Sequence, residues 1–331
     1  MYKGALRSRV LEGLTAPILL NISMNDIKLV SYNIRFGLGL DQRINLERTA
    51  KAIQDADIIA LQEVERFWKR SGMTDQPEIL SEHLKDFYWS YCPAFDVDAS
   101  ERLDGVIVNR RRQFGTMILS RWPIIMSRSI VFPKLGTVHE FNMDTGAIEC
   151  IIDTPSGTLR VYSVHLSAIS KQDRLLQLDY LLSFYRGARV SGGAWTGGYP
   201  DIDRTKDQFS LEQNWSNDET SPLMPNGTIM MGDFNCGPDS EEYEKMVGSM
   251  DPCRGRIGHL NSFVDGWITA KSRLGGSFTW KANPENNKQN KGLRLDYCFV
   301  NPILSKNVEE AWIDKDADGS DHKPVWIKLK F

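Results

Sequence analysis

A carboxylate and an amide follow an apolar run in residues 229–235, where Asp233 and Asn235 stand two positions apart. The run stops at a glycine and is soon followed by a Gly-Pro pair, which indicates a strand that ends in a turn. Alternate residues of a strand point to the same side, so both polar side chains are expected on one side. Together they suit a cation, or a water molecule that attacks an anionic centre. Taken alone, the pair is more typical of a turn, in which Asp and Asn bond their own backbone.

Polar residues stand at corresponding places at the ends of six apolar, strand-like segments. They are Asn33, Glu63, His165, Asp233, Asn235, Asp296, Asp321 and His322. Glu63, Asp321 and an amide oxygen such as that of Asn33 are hard oxygen donors of the kind that Mg²⁺ or Mn²⁺ prefers. Thiols and histidines are too few for a zinc cage, although the two histidines leave a transition metal as an alternative. The set predicts a divalent-metal site beside groups suited to proton or phosphate chemistry.

A strand–helix–strand unit positions the first of these residues. Residues 27–36 and 57–64 are predicted to be strands, and residues 43–54 carry apolar positions at helical spacing. Asn33 lies near the end of the first strand and Glu63 near the end of the second. This order indicates an α/β fold with a ligand site at the strand ends.

The pattern of strands and helices continues to the C terminus. Further strands are predicted over residues 105–109, 115–124, 159–166, 229–235 and 293–300, with a last strand after His322. Further helices are predicted over residues 78–87, 171–185 and 240–247, the last with Ser240 as its N-cap. The strand at 293–300 is expected to be the last but one.

Length and composition fit a soluble globular protein with a large core. The chain has 331 residues, 41% of them hydrophobic and 25% charged, and a formal net charge of −3. Its pI near 6.0 argues against binding long nucleic acid by bulk electrostatics, because such proteins show a basic face or a pI above about 9. A nuclease remains an alternative, since a local groove can be basic.

The five cysteines include no Cys-x-x-Cys pair and predict neither a disulfide framework nor a zinc site.

Residues 1–25 are interpreted as an N-terminal extension to one domain over residues 26–331. The apolar stretch at 14–20 is interrupted by Pro17 and is far shorter than the ~20 apolar residues that span a bilayer, so no transmembrane segment is expected. A poor signal peptide is the alternative to an amphipathic extension. The cysteine usage favours a reducing compartment, and we expect a cytoplasmic protein.

Four motifs in a fixed order resemble those of the endonuclease/exonuclease/phosphatase superfamily. They are Gln62-Glu63, Gly232-Asp233-Phe234-Asn235, Arg294-Leu295-Asp296-Tyr297 and Ser320-Asp321-His322-x-Pro-Val. This superfamily includes pancreatic-type deoxyribonucleases, abasic-site endonucleases, inositol polyphosphate 5-phosphatases and neutral sphingomyelinases. The resemblance, which extends from near residue 27 to the C terminus, implies a four-layer α/β sandwich, with two mixed β-sheets face to face and helices outside.

The resemblance also implies how the metal and the attacking water are held. Glu63 becomes the main metal ligand, assisted by Asn33 and by Asp321, directly or through water. Asp233 orients and deprotonates the water. Asn235 holds the water or a phosphate oxygen.

Two histidines are implied to contact the phosphate. His322 does so while Asp296 orients its ring, and either Asp233 or His322 serves as the general base. His165 matches members that bind the phosphate with a histidine in this strand. The abasic-site endonucleases have a tyrosine motif there instead, so they match less well.

The implied reaction is divalent-metal-dependent hydrolysis of a phosphoester by in-line attack of an activated water. We expect a phosphodiesterase for a small-molecule or lipid-like ester, using one or two Mg²⁺ or Mn²⁺ ions, because the segment around His165, Arg174 and Gln177 is similar to members of that kind. A DNA or RNA nuclease, which the net charge disfavours, and a phosphomonoesterase are the alternatives. A catalytically silent binding module is a further alternative, although none of the motif residues is missing. No protein partner is predicted.

An insertion is predicted over residues 187–226, where the periodic pattern stops. Loops longer than about 12–15 residues inside a compact domain are usually functional or disordered, and residues such as Trp195 and Trp215 favour an ordered insertion near the site. The insertion could form a wall or lid that contacts an organic phosphodiester. Alternatively, it is a surface decoration that packs its own aromatic side chains.

Overall fold

Two β-sheets packed face to face form the centre of the computed structural model, which describes residues 26–197, 221–281 and 292–331. The first sheet has seven strands in the spatial order β14 (Ser272–Gly275), β16 (Val308–Ile313), β17 (Val325–Lys330), β1 (Asp26–Asn33), β2 (Ile58–Arg66), β6 (Arg111–Ser120) and β3 (Tyr88–Asp98). The second has six strands in the order β13 (Val264–Asp265), β15 (Asp296–Val300), β10 (Thr228–Asp233), β9 (Gly157–His165), β8 (Gly146–Thr154) and β7 (Ile124–Val131).

The helices of the described ranges begin at well-capped residues. They are α1 (Leu46–Ile53), α2 (Gln76–His83), α3 (Lys171–Ser191), α4 (Glu241–Val247) and α5 (Gly266–Thr269). Before each helix a side chain accepts a backbone N–H of the first turn, and Ser240 does so for α4 as predicted. None of these helices has the length and apolar character needed to cross a membrane. Two short hairpins complete the fold, β4 (Glu101–Leu103) with β5 (Val106–Val108) and β11 (Met250–Asp251) with β12 (Gly255–Arg256).

Three apolar clusters hold the layers together. Side chains of both sheets, such as Leu29 and Ile229, are fully buried between them. Helices α1 and α2 cover the outer face of the first sheet through residues such as Ile53, and α3 and α4 cover the second through residues such as Leu178. Burial of these apolar surfaces is the main stabilising contribution to the fold. The predicted four-layer α/β sandwich with two mixed sheets is therefore confirmed.

Parallel pairing brings the polar strand ends to one edge of the sandwich. Strand β1 runs parallel to β2, with Asn33 opposite Gln62, and β9 runs parallel to β10, with His165 opposite Asp233. Asp233 also lies opposite Asp296, the first residue of antiparallel β15. The predicted strand–helix–strand unit around α1 is confirmed, and its strand ends meet those of the second sheet.

The structure contains strands that the sequence pattern did not reveal, among them β7, β8 and β16. Strand β16 follows β15, so the prediction that residues 293–300 hold the last strand but one is wrong. Two glutamates, Glu309 and Glu310, interrupt the apolar run of β16, which weakens its strand signal.

Helix α3 changes the boundaries of the predicted insertion. It continues beyond the predicted end at residue 185 to Ser191, so the first residues of the 187–226 segment are helical. Residues 198–220 lie outside the described residues, and the role of the insertion as wall, lid or decoration stays a prediction. The N-terminal extension, residues 1–25, also lies outside them.

Candidate active site

Strand β10 ends at Asp233, which is buried with 1% of its surface exposed. Its Oδ2 accepts a hydrogen bond from Nδ2 of Asn33 at 3.0 Å, and its Oδ1 accepts one from the backbone N–H of Asn235 at 2.9 Å. Asn235 lies beyond the strand with a φ of 50°, so the prediction that strand alternation aligns the two side chains is wrong. The Asp233 carboxylate closes a turn, and this turn brings both side chains to the same cleft.

The residue before Asp233 must be a glycine because strand β9 passes against it. A Cβ added at Gly232 would lie 1.9 Å from the carbonyl oxygen of Val164. We expect Gly232→Ala to destabilise the protein by about 1–3 kcal/mol or more, since backbone must move to relieve the overlap. A urea unfolding curve should show a lower midpoint with an unchanged slope. A midpoint equal to that of the wild type would contradict the packing described here.

An irregularity in strand β2 turns Glu63 into the cleft. The pairing of β2 with β6 breaks between Leu61 and Val64, and Glu63 has a φ of 58°, which is uncommon for a residue with a side chain. Breaks of this kind redirect side chains beside many active sites. The Oε1 of Glu63 accepts a hydrogen bond from Nδ2 of Asn33 at 3.1 Å.

Asn33 connects the carboxylates that the two sheets contribute. Its buried amide nitrogen donates to Glu63 of the first sheet and to Asp233 of the second. Its Oδ1 accepts the backbone N–H of Arg35 at 3.0 Å. The amide therefore positions both carboxylates, and its oxygen, the atom expected to bind a metal, is turned towards Arg35.

His322 and Asp296 form a buried carboxylate–imidazole pair. Nδ1 of His322 lies 2.8 Å from Oδ2 of Asp296, which fixes the orientation of the ring. The hydroxyl of Thr279 accepts the backbone N–H groups of Leu295 at 2.9 Å and Asp296 at 3.1 Å, and so holds the carboxylate in place. Nε2 of His322 lies 3.8 Å from Oδ2 of Asp233.

His165 contributes the second imidazole from the end of strand β9. Its Nε2 also lies 3.8 Å from Oδ2 of Asp233, so one carboxylate stands between two imidazoles. Arg174 lines the cleft. Gln177 does not line it, because its buried side chain accepts the N–H of Ser167 at 2.8 Å and supports the loop after His165.

Asp321 lies beside two residues that the sequence analysis did not single out. Nε1 of Trp280 donates to its Oδ2 at 3.3 Å, and Nε of Arg35 lies 3.7 Å from the same oxygen. Trp280 reaches the site from a segment bridged to both Leu293 and His322. For Trp280, the sequence offered one signal of a role in the site, a tryptophan in a short polar stretch ahead of a motif-bearing strand. For Arg35, the only such signal was its position close to Asn33 in the sequence.

The predicted residues meet in one cleft of about 790 Å³ at the shared edge of the two sheets. The cleft is lined by Glu63, His165, Asp233, Asn235, Asp321 and His322. Asn33 and Asp296 support these residues from buried positions. Cationic and apolar side chains complete the walls, among them Arg35, Arg70, Arg174, Phe141, Ile169, Trp280 and Leu293.

Local electrostatics distinguish the two histidines. Burial lowers the pKa of His165, and the nearby Asp233 carboxylate offsets this effect only in part. Burial also acts to lower the pKa of His322, but Asp296 and Asp233 outweigh it and raise that pKa to about 10. Burial, followed by the proximity of Asp296, raises the pKa of Asp233, and burial raises that of Glu63. The protein alone therefore favours a neutral His165 and a protonated His322 at neutral pH.

The donor set suits a hard divalent cation. Carboxylates of Glu63, Asp233 and Asp321 face one cleft, and Oδ1 of Asp296 is buried with no hydrogen-bond partner among the described residues. Concentrated negative charge of this kind matches the oxygen ligands of Mg²⁺ or Mn²⁺. Asp233, Asp296 and His322 also offer ligand atoms within 4.8 Å of one another. However, Nδ1 of His322 is already bound to Asp296 at 2.8 Å, whereas the carboxylates of Glu63 and Asp321 line the open cleft.

Solved structures share this fold at low sequence identity. An endonuclease/exonuclease/phosphatase family protein from Bacteroides thetaiotaomicron is 17% identical with a TM-score of 0.58, over 93% of this chain and 98% of that chain. The mannosyl-6-phosphatase of Bacteroides thetaiotaomicron VPI-5482 is 17% identical with a TM-score of 0.59, over 92% of this chain and 100% of that chain. Sphingomyelinase C from Streptomyces griseocarneus is 15% identical with a TM-score of 0.54, over 92% and 100% respectively.

Sequence comparison identifies the family directly. No curated protein sequence matches the chain significantly. The sequence model of the Endonuclease/Exonuclease/phosphatase family matches residues 30–322, a range that includes all four motifs. Members of this family are phosphoric ester hydrolases and generally depend on divalent metal ions. The chain therefore belongs to the endonuclease/exonuclease/phosphatase family and is a phosphoric ester hydrolase.

Proposed function

We propose that the protein hydrolyses a phosphodiester by in-line attack of a water molecule in a metal-containing cleft. The supporting observation is the position of Asp233 between two imidazoles, with Nε2 of His165 and of His322 each 3.8 Å from its Oδ2. A phosphate held against these nitrogens would meet donors for its oxygens and a carboxylate beside the attacking water. Donors fixed before the reaction stabilise charge that develops in the transition state.

Glu63 and Asp321 would hold the metal, with Asn33 as the third residue of the predicted set. The carboxylate oxygens of Glu63 and Asp321 suit one or two Mg²⁺ or Mn²⁺ ions. A bound divalent ion supplies neutralisation of charge on the phosphate oxygens and on the leaving oxygen. Within the protein, the hydrogen bond from Asn33 fixes Glu63 at a set position relative to Asp233.

Asp233 is placed to orient the attacking water and to accept its proton. Donors from Asn33 and from the backbone of Asn235 hold the two carboxylate oxygens, so the group cannot rotate away from the cleft. The side-chain nitrogen of Asn235 donates to the carbonyl of Leu166 at 2.9 Å. That bond leaves the Asn235 oxygen to accept from the water.

His322 is placed to donate to a phosphate oxygen or to the leaving oxygen. Its Nδ1 is bound to Asp296, which keeps Nε2 directed at the cleft. His165 would hold another phosphate oxygen from the opposite side. We assign the base role to Asp233 and the donor role to His322, because Asp233 occupies the central position between the two rings.

The walls of the cleft support an organic ester with an apolar group as the substrate. Phe141 is 72% exposed at the cleft, and Ile169 and Leu293 are also exposed there. The names of two structural neighbours, a mannosyl-6-phosphatase and a sphingomyelinase C, likewise denote organic phosphoesters. A small-molecule or lipid-like phosphodiester fits these walls.

The five cysteines are all free, which supports a reducing, cytoplasmic location.

A substrate panel tests this choice. Bis(4-nitrophenyl) phosphate, 4-nitrophenyl phosphate, phospholipid vesicles and plasmid DNA would each be supplied with Mn²⁺. We expect the aryl diester or the phospholipid to give the highest kcat/KM, at least about tenfold above the monoester and DNA, which corresponds to ~1.4 kcal/mol of transition-state binding. Plasmid nicking as the best activity would favour a nuclease, and preference for the aryl monoester would favour a phosphomonoesterase.

A further inference from the structure

A second pocket lies at the end of the second sheet opposite to the cleft. Arg160 near the start of β9 stands opposite Thr228 at the start of β10, and the N–H of Asn301 beyond β15 donates to the carbonyl of Thr228 at 2.9 Å. His165 and Asp233 stand five residues further along the same two strands. At about 3.3 Å per residue, the pocket is roughly 16 Å from the catalytic groups.

Cationic and amide side chains line this pocket of about 240 Å³, which we call the arginine pocket. Its charged and amide lining residues are Arg160, Arg186, Arg189, Asn226, Asn261 and Asn301. Arg186 and Arg189 are exposed and stand near the end of helix α3. The described residues that line the pocket include three arginines and no carboxylate, so this part of the lining carries positive charge.

Arg160 is a buried cation whose charge is only partly balanced. The residue is 1% exposed, and its Nε donates to Glu149. Glu149 also accepts from Nε of Arg128, so two guanidinium groups share one carboxylate. Nη1 of Arg160 donates to the carbonyl of Tyr185 at 3.1 Å. Its Nη2 is buried and has no hydrogen-bond partner among the described residues.

An unpaired buried donor on a charged group is costly, and such groups normally have a partner. A guanidinium group offers donors in a fixed fork that matches phosphate oxygens. An anion in the arginine pocket would place negative charge beside Arg160 and offset the excess positive charge of the cluster in which two guanidinium groups share Glu149.

The rim of the pocket is held in place before any ligand binds. The side-chain nitrogen of Asn301 donates to the carbonyl of Asn226 at 2.6 Å, and its oxygen accepts the N–H of Thr228 at 3.3 Å. These bonds tie the segment before β10 to the segment after β15. A preformed rim lowers the ordering cost of binding.

We propose that the arginine pocket binds a tetrahedral oxyanion, either inorganic phosphate or the phosphate group of a small phosphomonoester. The volume accommodates one such group and not a nucleic acid strand. This site is separate from the cleft and does not depend on the hydrolytic function proposed above.

The test measures thermal stabilisation by inorganic phosphate in EDTA, with sodium chloride at matched ionic strength as the baseline. Arg186→Ser/Arg189→Ser removes two exposed cations from the pocket and leaves the buried Arg160 network intact. Arg254→Ser/Arg273→Ser is the matched control, because it makes the same charge change at exposed residues that line neither the cleft nor the arginine pocket. His165→Ala/His322→Ala removes phosphate donors from the cleft.

A ligand that binds only the folded state raises the melting temperature in a saturable way. We expect saturable phosphate stabilisation in the wild type, the control and the histidine variant, and an apparent Kd at least tenfold higher in Arg186→Ser/Arg189→Ser. The same titration with glycerol phosphate separates the two sources, since tighter binding than phosphate identifies a phosphomonoester ligand and equal or weaker binding identifies inorganic phosphate.

Three results would overturn the proposal. One is stabilisation that disappears in the histidine variant and persists in Arg186→Ser/Arg189→Ser, because phosphate would then bind only in the cleft. Another is a loss of phosphate affinity in the Arg254→Ser/Arg273→Ser control equal to that in Arg186→Ser/Arg189→Ser, which would indicate general charge screening. The third is a wild-type response no larger than that to chloride.

Discussion

Replacing Asp233 with asparagine should lower kcat for a phosphodiester by about 10²–10⁴-fold, the usual effect of losing a general base. Asparagine has nearly the same size, and its oxygen can still accept from Asn33 or from the backbone of Asn235. It cannot take a proton from the attacking water. The fold should persist, because the carboxylate lies at the end of β10 and not in the apolar layer between the sheets.

The measurement is kcat on bis(4-nitrophenyl) phosphate at saturating Mn²⁺, together with a urea unfolding curve. Asp239→Asn is the matched control, since it removes an exposed carboxylate from the same loop and should leave kcat unchanged. A kcat for Asp233→Asn within threefold of wild type would remove Asp233 from the proposed mechanism. A collapse of stability would make Asp233 a structural residue.

His322→Ala should produce a loss that depends on the leaving group. An alkoxide needs a proton as the ester bond breaks, whereas 4-nitrophenolate is a stable anion and needs little help. We therefore expect about 10²–10⁴-fold lower kcat for a diester with an alkyl leaving group and a much smaller loss for bis(4-nitrophenyl) phosphate. Asp233→Asn should slow both substrates alike, because the water must be activated in each case.

The comparison of leaving groups decides between the two assignments of the general base. If His322 were the base, His322→Ala would slow both diesters by the same factor. Asp296→Asn tests the role of His322 with a conservative change. Asparagine can still hydrogen-bond Nδ1 of His322, and the substitution removes only the negative charge of Asp296 beside the ring. It should show the same leaving-group dependence with a smaller amplitude.

Much of the fold follows from local sequence patterns. The apolar runs of β1, β2, β9 and β10 end at the motif residues, and parallel pairing then brings these ends together. The N-cap at Ser240 was equally visible, because a hydroxyl before an acidic first turn is a local signal. The polar interruptions of β16 concealed that strand, since its burial depends on tertiary packing.

The contacts between side chains within the site could not be predicted from the sequence as the strands and helices could. The Asn33–Asp233 hydrogen bond joins residues separated by 200 positions, and no local pattern encodes such a contact. Glu63 owes its direction to a break in the pairing of β2 with β6. Trp280 reaches the cleft from a segment held by isolated bridges, which have no periodic signature.

The mistaken alignment of Asp233 and Asn235 has a specific physical cause. Strand alternation applies only within the strand, which ends at Asp233, and Asn235 adopts a left-handed backbone conformation two residues beyond that end. The sequence alone suggested either a turn or a catalytic role for this pair. In the structure, the turn itself places the Asn235 side chain in the cleft.

The most direct test of the central claim is calorimetric titration of Mn²⁺ into the wild type and Glu63→Gln, with phosphodiester hydrolysis followed over the same metal concentrations. Glu47→Gln is the matched control, because Glu47 is an exposed residue of helix α1. We expect a saturable wild-type site whose occupancy parallels activity, and an Mn²⁺ affinity lower by at least about 10–100-fold in Glu63→Gln alone. Hydrolysis that persists in EDTA, unchanged Mn²⁺ affinity in Glu63→Gln, or metal binding without hydrolysis of any phosphoester would contradict it.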